Sequence, residues 1–209
     1  PLFQTDALSF VEVSLRQKTE ELDQFFNVSQ DLLCIASTDG YFLRLNPVWE
    51  RVLGFAREEL MAKRFLDFVH PDDLLRTQEA VSAQKSGQKV ISFENRYRCK
   101  DGTYRWLEWN SVPAENLIFA AARDVTDQKL ADQVMEERLR FERLVSEFSA
   151  RFVNIAPDRV DSEIEHGLRR ILTFFQVDRC ALLHTLADKT TWQITHVTSA
   201  EGVPPVPLR

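Results

Sequence analysis

Apolar residues recur along this chain in two rhythms, and each predicts a kind of element. Near the N-terminus Leu8, Val11, Leu15, Leu22 and Phe25 keep heptad spacing, with Lys18 as the one polar break. That spacing predicts a helix over residues 7–26 with an apolar stripe. The stripe suits a helix packed on its own domain or a parallel coiled coil entering from upstream. The middle of the chain alternates instead. Residues 32–36 and 41–45, joined across Asp39-Gly40, read as a first hairpin. Farther on, Ile91, Phe93, Asn95, Tyr97 and Cys99 share one face of a strand that runs into Asp101-Gly102, a strong turn signal between alternating runs. A two-residue turn there pairs Lys100 with Thr103, Cys99 with Tyr104, Tyr97 with Trp106 and Asn95 with Glu108. One face is then aromatic with Asn95, Glu108 and Asn110 set in it. The other carries Leu107 and Trp109 among Arg96, Arg98, Lys100 and Arg105, a solvated basic strip whose stems lie over those two residues. Neither face is wholly polar, so cover is expected on both sides. Residues 116–123 are apolar on both faces, as a central strand should be, and their three alanines leave room for a close-packed helix or a ligand.

Between the hairpins the rhythm is helical. Asn46-Pro47 starts a helix, because an Asn side chain accepts from first-turn amides and Pro at the first position loses no needed donor. Val48, Val52 and Leu53 give its buried side and Gly54 ends it. Glu58 and Glu59 open a short helical turn, where acids suit the positive end of the dipole. His70-Pro71-Asp72-Asp73 breaks the chain and caps a helix running to Lys85, with Leu74, Leu75, Gln78 and Val81 inward. From Asp127 heptad spacing returns in Leu130, Val134, Phe141, Leu144, Phe148 and Ile155, with Glu137 and Arg151 as polar exceptions. This predicts a helix over 127–153 with Thr126 as N-cap, about 40 Å long at 1.5 Å per residue. So long a stripe exceeds what one small domain buries, so Leu130, Val134, Phe141, Leu144 and Phe148 are expected to form the seam of a parallel homodimer. After Pro157 a second amphipathic helix (Ile164, Leu168, Ile171, Leu172, Phe175) leads to strands at 179–184 and 192–197.

Composition narrows the class. A chain of 209 residues predicts one or two domains, and 44% hydrophobic content supports a core. A net charge of −6 argues against a nucleic-acid surface, which needs clustered excess Lys and Arg. Cys34, Cys99 and Cys180 read as reduced core residues of a cytoplasmic protein rather than a disulfide framework. No apolar run approaches the length of a membrane span, so no membrane contact is expected of this segment. The chain begins Pro-Leu-Phe and ends VPPVPLR, which reads as an internal slice of a longer protein. No Gly-rich phosphate loop, Gly-x-Ser-x-Gly or Cys-x-x-Cys is present. His70 suits a turn, His166 a polar helix face, and His184 with His196 across a hairpin make two ligands without a third, so no metal site is assigned.

The stretch FENRYRCKDGTYRWLEW (93–109), running into a strand that ends in Asp124-Val125-Thr126, closely resembles the C-terminal (PAC) half of a PAS domain. The N-terminal half matches in Asp39-Gly40, LNPVWERVLGF (45–55), REEL (57–60) and DFVHPDD (67–73). The resemblance covers 25–126. It implies an α+β fold: a five-stranded antiparallel sheet with the helices of 46–85 on one face and 116–123 beside 32–36 at its centre. LVSEFSARFVNI…VDSEIEHGLRRIL…VDRCALLH resembles the opening of a GAF domain, of which it covers about two fifths. The expected organisation is a connector helix (1–24), a PAS domain (25–126), a linker coiled-coil helix (127–153) and a truncated GAF-like α/β segment (154–209).

The PAS resemblance also frames the cofactor. Flavin photosensors of the family carry a reactive Cys in an Asn-Cys-Arg-Phe-type helix motif, where this chain has RLNPVWERVLGF, so cysteinyl-flavin photochemistry is disfavoured. Haem is disfavoured because the helix over 71–85 offers no axial His. A noncovalent small ligand remains, with Phe93, Asn95, Tyr97, Trp106, Glu108 and Asn110 as candidate cavity residues. The alternative makes the three polar ones inter-strand partners, or a register one residue off turns them to water. The resemblance further implies a sensory and relay segment of a bacterial multi-sensor histidine kinase in a two-component system. A diguanylate cyclase and a ligand-free dimerisation spacer are the alternatives. The kinase domains would lie downstream in the same chain, so no catalysis is assigned here, and any membrane anchor of the parent would lie outside this segment. Asp124 and Thr126 are expected to carry the signal from sheet to helix, with Glu137 and Arg151 keeping the coiled coil weak enough to switch.

Overall fold

The computed structural model describes the backbone of residues 2–153, 155–187 and 189–204, and side chains from Val13 onward within those ranges. The seam positions Leu8 and Val11 lie outside the described side chains. Two compact units, Pro1–Gln133 and Val134–Arg209, divide the chain within its long central helix.

The first unit opens with helix α1 (Leu2–Val28), followed by strands β1 (Leu32–Ser37) and β2 (Phe42–Leu45). Helices α2 (Val48–Leu53), α3 (Arg57–Met61) and α4 (Leu74–Lys85) come next, then strands β3 (Val90–Arg98), β4 (Tyr104–Ala114) and β5 (Leu117–Asp124). The strands form one antiparallel sheet in the order β2-β1-β5-β4-β3, which puts the last strand at the centre beside the first, as expected. Alternation sends Leu32, Cys34 and Ala36 of β1 and Ile118 and Ala122 of β5 into the core beneath α2–α4. Trp49 of α2 is the hub: it is fully buried, its ring lies 4.9 Å from Phe42 and 5.8 Å from Trp109, and its indole N–H donates to Leu33 O at 3.0 Å. The opposite sheet face is only partly covered, and Phe119 at its centre is half exposed, against the expected cover on both sides.

Local signals end α2 as predicted. Gly54 takes φ 77°, and its N–H reaches Glu50 O at 2.9 Å. Asn46 departs from expectation: it does not cap α2, whose N-cap is Pro47. Instead its buried carboxamide accepts from Leu33 N at 3.1 Å and donates to Asp31 O at 2.9 Å, tying the α2 entry to the start of β1.

The β3–β4 hairpin is shifted one residue from the predicted register. Asp101 Oδ1 accepts from Thr103 N at 2.9 Å, Gly102 takes φ 87°, and Cys99 N donates to Thr103 O at 2.8 Å. The turn therefore holds three residues, Lys100 to Gly102, and Arg98 faces Tyr104, Tyr97 faces Arg105, Asn95 faces Leu107 and Phe93 faces Trp109. A one-residue slip turns every β4 side chain over. Leu107, Trp109 and Ser111 consequently point into the core, and the Arg and Lys stems do not lie over the first two.

Helix α4 is rotated from its predicted face. Leu74 and Val81 pack on the core, but Leu75 is 67% exposed and Gln78 is exposed, while Thr77 and Gln84 are buried. The polar inner stripe has partners on the sheet, described below.

The second unit holds most of helix α5 (Thr126–Phe152), helix α6 (Val160–Phe175) and strands β6 (Arg179–Thr185) and β7 (Trp192–Ser199), paired antiparallel. Of the expected seam, Leu144 is buried, Phe141 lies 6.2 Å from Phe174 of α6, and the Phe148 ring meets Gly167 of α6. Arg151 pairs with Glu163 at 3.2 Å. In the β6–β7 register Leu182 faces His196 and His184 faces Gln193, so the two histidines do not oppose one another. His196 instead lies 3.3 Å from Asp161. Among the described residues no helix is long and apolar enough to cross a membrane.

Candidate functional site

Two places in the first unit bring together the chemistry that the sequence singles out. The first is a cavity of about 60 Å³ between α4 and the inner sheet face. Cys34, Ala36, Phe42, Phe65, Val81, Phe93, Ile118 and Ala120 give it an apolar lining, and Thr77, Gln84, Asn95, Tyr97 and Ser111 supply polar groups. Of the candidate residues, Phe93, Asn95 and Tyr97 line it. Trp106, Glu108 and Asn110 do not, because the hairpin register puts them on the opposite face. Thr77, Gln84 and Ser111 were missed because they enter only through the rotation of α4 and the inversion of β4. Of the three central-strand alanines, Ala120 opens onto the cavity, Ala122 is buried opposite Trp109, and Ala121 faces the other way.

The polar lining is mostly satisfied from within. Asn95 donates to Thr77 Oγ1 at 3.1 Å and accepts from the Trp109 indole at 2.8 Å, and Thr77 in turn donates to Asp73 O at 2.7 Å. The Gln84 amide meets the Ser111 hydroxyl. Burial pushes the Cys34 thiol up to about 12, so it stays protonated, and burial followed by the nearby Cys34 also pushes up the Tyr97 phenol.

Beside the cavity, the turn before α4 is locked to β3. His70 Nδ1 accepts from Asp72 N at 3.2 Å, which is the capping role expected of it. The buried Asp73 carboxylate takes Arg96 N at 2.9 Å and the Arg96 guanidinium at 2.8 and 2.9 Å. These contacts hold Asp73 below the usual carboxylate range, the guanidinium bond being the largest cause. Arg96 is thus a bound side chain rather than part of a solvated basic strip. Lys100 likewise pairs with Glu59 at 2.8 Å.

The second place is the junction of β5 and α5. Asp124 Oδ1 accepts from the first helical amide, Thr126 N, at 2.9 Å. The Thr126 hydroxyl donates to Asp124 Oδ1 at 2.5 Å and accepts from Trp106 N at 2.8 Å. Val125 N donates to Trp106 O at 2.9 Å. The carboxylate of Asp124, not the hydroxyl of Thr126, therefore caps the helix start, and Thr126 ties that start to β4. Trp106 sits on the outer face, with Arg96 5.2 Å and Lys129 5.7 Å from its ring centre. Lys129, one turn into α5, also reaches Glu94 at 2.7 Å. One contiguous set of contacts thus runs from Asn95 in the cavity wall through Thr77, Asp73, Arg96 and Trp106 to the first turn of α5. Of the remaining seam residues, Leu130 is 54% and Val134 66% exposed.

Residues 42–116 match a family model described as PAS fold. No curated protein matches the chain. Among solved structures, an RNA-binding light-oxygen-voltage receptor is similar at 19% identity, covering 58% of this chain and 37% of that one with a TM-score of 0.50. The PAS domain of an HTR-like protein from Haloarcula marismortui is similar at 22% identity, over 56% of this chain and 98% of that one, with a TM-score of 0.49. A domain of a sensory box sensor histidine kinase/response regulator from Geobacter sulfurreducens is similar at 19% identity, over 53% and 96%, with a TM-score of 0.48. At these identities the likeness is one of fold.

Proposed function

From the PAS domain at residues 42–116 as premise, we propose that this chain is a sensory and signal-relay segment of a multidomain bacterial signalling protein, a multi-sensor histidine kinase of a two-component system. The observation that carries this reading is the junction. Asp124 and Thr126 fasten the start of a 27-residue helix to Trp106 of the sheet, so a shift of β4 or β5 displaces the helix start directly. The sheet and its cavity are then the input, and the helix is the output. Leu130 and Val134 present apolar surface for a second copy, which fits a homodimer through the connector helices. Residues 154–209 open a GAF domain, and the phospho-accepting and ATP-binding domains lie downstream in the same cytoplasmic chain, so this segment itself performs no catalysis.

The mechanism is two-state. A ligand or an upstream rearrangement that favours one packing of the sheet under α4 changes the hold of Asp73 on Arg96, and with it the seat of Trp106 and Lys129. A switch whose states differ by a few kcal/mol responds to changes of that size. Replacing Thr126 with Ala removes a hydroxyl that serves Trp106 and Asp124 and costs about 1 kcal/mol. A domain stable by roughly 5–15 kcal/mol keeps its fold through that loss. In the full-length protein, Thr126→Ala and Asp124→Ala are expected to change autophosphorylation or its response to stimulus while the PAS domain melts nearly as before. If both variants keep normal output and normal response, the junction is only structural, and a ligand-free dimerisation spacer replaces the relay.

A further inference from the structure

We propose that Val134, Phe141, Val145 and Phe152 of α5 form the surface on which α5 of a second copy docks, side by side and parallel. The four belong to an 11-residue repeat that begins at Leu130. The inference rests on the homodimer proposed above and names its contact surface on the second unit.

Heptad spacing from Leu130 passes through Phe141 to Leu144 and Phe148, and α6 has taken those two. Leu144 is buried, the Phe148 ring lies against Gly167 with the Arg170 guanidinium 6.0 Å from its centre, and Glu147 pairs with Arg170. An 11-residue spacing runs instead from Leu130 and Val134 to Phe141, Val145 and Phe152, and all five are between 39% and 66% exposed. Phe141 meets Phe174 and still stays half exposed. Eleven residues make three helical turns plus about 20°, so the five keep to one stripe, about 33 Å long at 1.5 Å per residue. Met135 and Leu139 are exposed too, but eleven residues on they give way to Ser146 and Ala150, so their face does not repeat.

The shape and period of the stripe choose its partner. It is long and one helix wide, which fits a helix lying along it. A stripe that repeats every seven residues drifts about 20° per repeat in the opposite sense, so a heptad partner parts from this one. An identical helix keeps pace with it, and the pair winds weakly right-handed. The flanking charges allow self-contact. Arg138 pairs with Glu142 at 3.0 Å and Arg140 with Glu136 at 2.7 Å within the helix, so two copies meet as neutral pairs rather than like charges. Direction follows from the polar exception. An antiparallel pair centred on Phe141 sets Val145 against Glu137 and Val134 against Phe148, which α6 already holds, whereas a parallel pair sets each apolar residue against its own copy.

The test combines sedimentation equilibrium of the 209-residue chain with thiol cross-linking in a Cys180→Ser background, where the remaining Cys34 and Cys99 are buried. Val145→Glu with Phe152→Glu should weaken self-association at least tenfold. Met135→Glu with Leu139→Glu, on the face that does not repeat, should change it less than twofold. Val145→Cys should link two copies under mild oxidation, and Leu139→Cys should not. Equal effects of the two glutamate pairs, or cross-linking through Leu139→Cys as fast as through Val145→Cys, overturn the proposal, and the cross-links decide it even if a glutamate pair does not fold. Weakening by Leu130→Glu with Val134→Glu but not by Val145→Glu with Phe152→Glu overturns the 11-residue surface and leaves the homodimer standing. A chain that stays monomeric at every concentration overturns both.

Discussion

At the scale of single residues, the most consequential contact is one between positions 23 apart in sequence, Asp73 and Arg96. Asp73 is 4% exposed, whereas the Arg96 side chain keeps 25% in water. Removing the arginine strands a buried carboxylate, which puts Arg96→Ala near the lower end of the roughly 3–5 kcal/mol typical of broken buried pairs. The same contact gives a pH dependence. The folded-state pKa of Asp73 lies below its unfolded value of about 4, so the unfolded state takes up the proton first as pH falls. Its contribution to stability is therefore complete above about pH 4 and is lost as pH drops through the folded pKa. Asp73→Asn should be destabilised at neutral pH and show a flatter acid limb in urea unfolding from pH 7 to 2. An acid limb as steep as that of the unmodified chain would assign the dependence to other carboxylates.

At the scale of elements, the α5–α6 contact in the second unit depends on a missing side chain. A Cβ placed on Gly167 would stand 2.8 Å from Phe148 Cε1, closer than atoms pack. Gly167→Ala should therefore cost about 1–3 kcal/mol through overpacking, although alanine is the better helix former. Shortening the ring in a Gly167→Ala, Phe148→Leu double variant should cost less than the two single changes summed, because one relieves the other. Additive losses in thermal unfolding would show that the ring swings aside at no cost. The packing also divides the heptad stripe of the long helix. Phe141, Leu144 and Phe148 are engaged with or turned toward their own chain, whereas Leu130 and Val134 are left to solvent. Periodicity shows that a helix has an apolar face, but a helix of the same chain and a helix of another copy satisfy it equally well.

At the scale of the whole molecule, the proposed homodimer through the connector helices would rest on that exposed pair. Leu130→Glu with Val134→Glu places charge on the open stripe without touching the PAS core. It should weaken dimerisation in sedimentation equilibrium at least tenfold while leaving the PAS melting transition in place. An unchanged association constant would move the seam elsewhere, to α1 or the open sheet face. The sequence by itself determined the kinds of element and their order. Alternation and heptads announce strands and helices, Gly54 and Asp101-Gly102 mark stops and turns, and a run apolar on both faces announces the central strand, because each signal is carried by neighbours in the chain. The candidate site was legible only in part: Phe93, Asn95 and Tyr97 share a face whatever the turn length, so they reach the cavity, as Asp124 and Thr126 reach the junction. The rest was decided in the folded structure, by local bonds in one turn and by tertiary contacts. Two bonds from Thr103 to Asp101 lengthen the hairpin turn by one residue and exchange Trp106, Glu108 and Asn110 for Leu107, Trp109 and Ser111 on the inner face. The grip of Asp73 on Arg96, with Thr77 and Gln84 meeting Asn95 and Ser111, sets the turn of α4 against its simpler apolar stripe. Asn46 leaves a cap for the backbone of Asp31 and Leu33, 15 and 13 positions away. The turn is settled by exposed groups two residues apart, but for α4 and Asn46 a buried polar group is satisfied by a partner distant in sequence, and only folding brings the two within bonding distance.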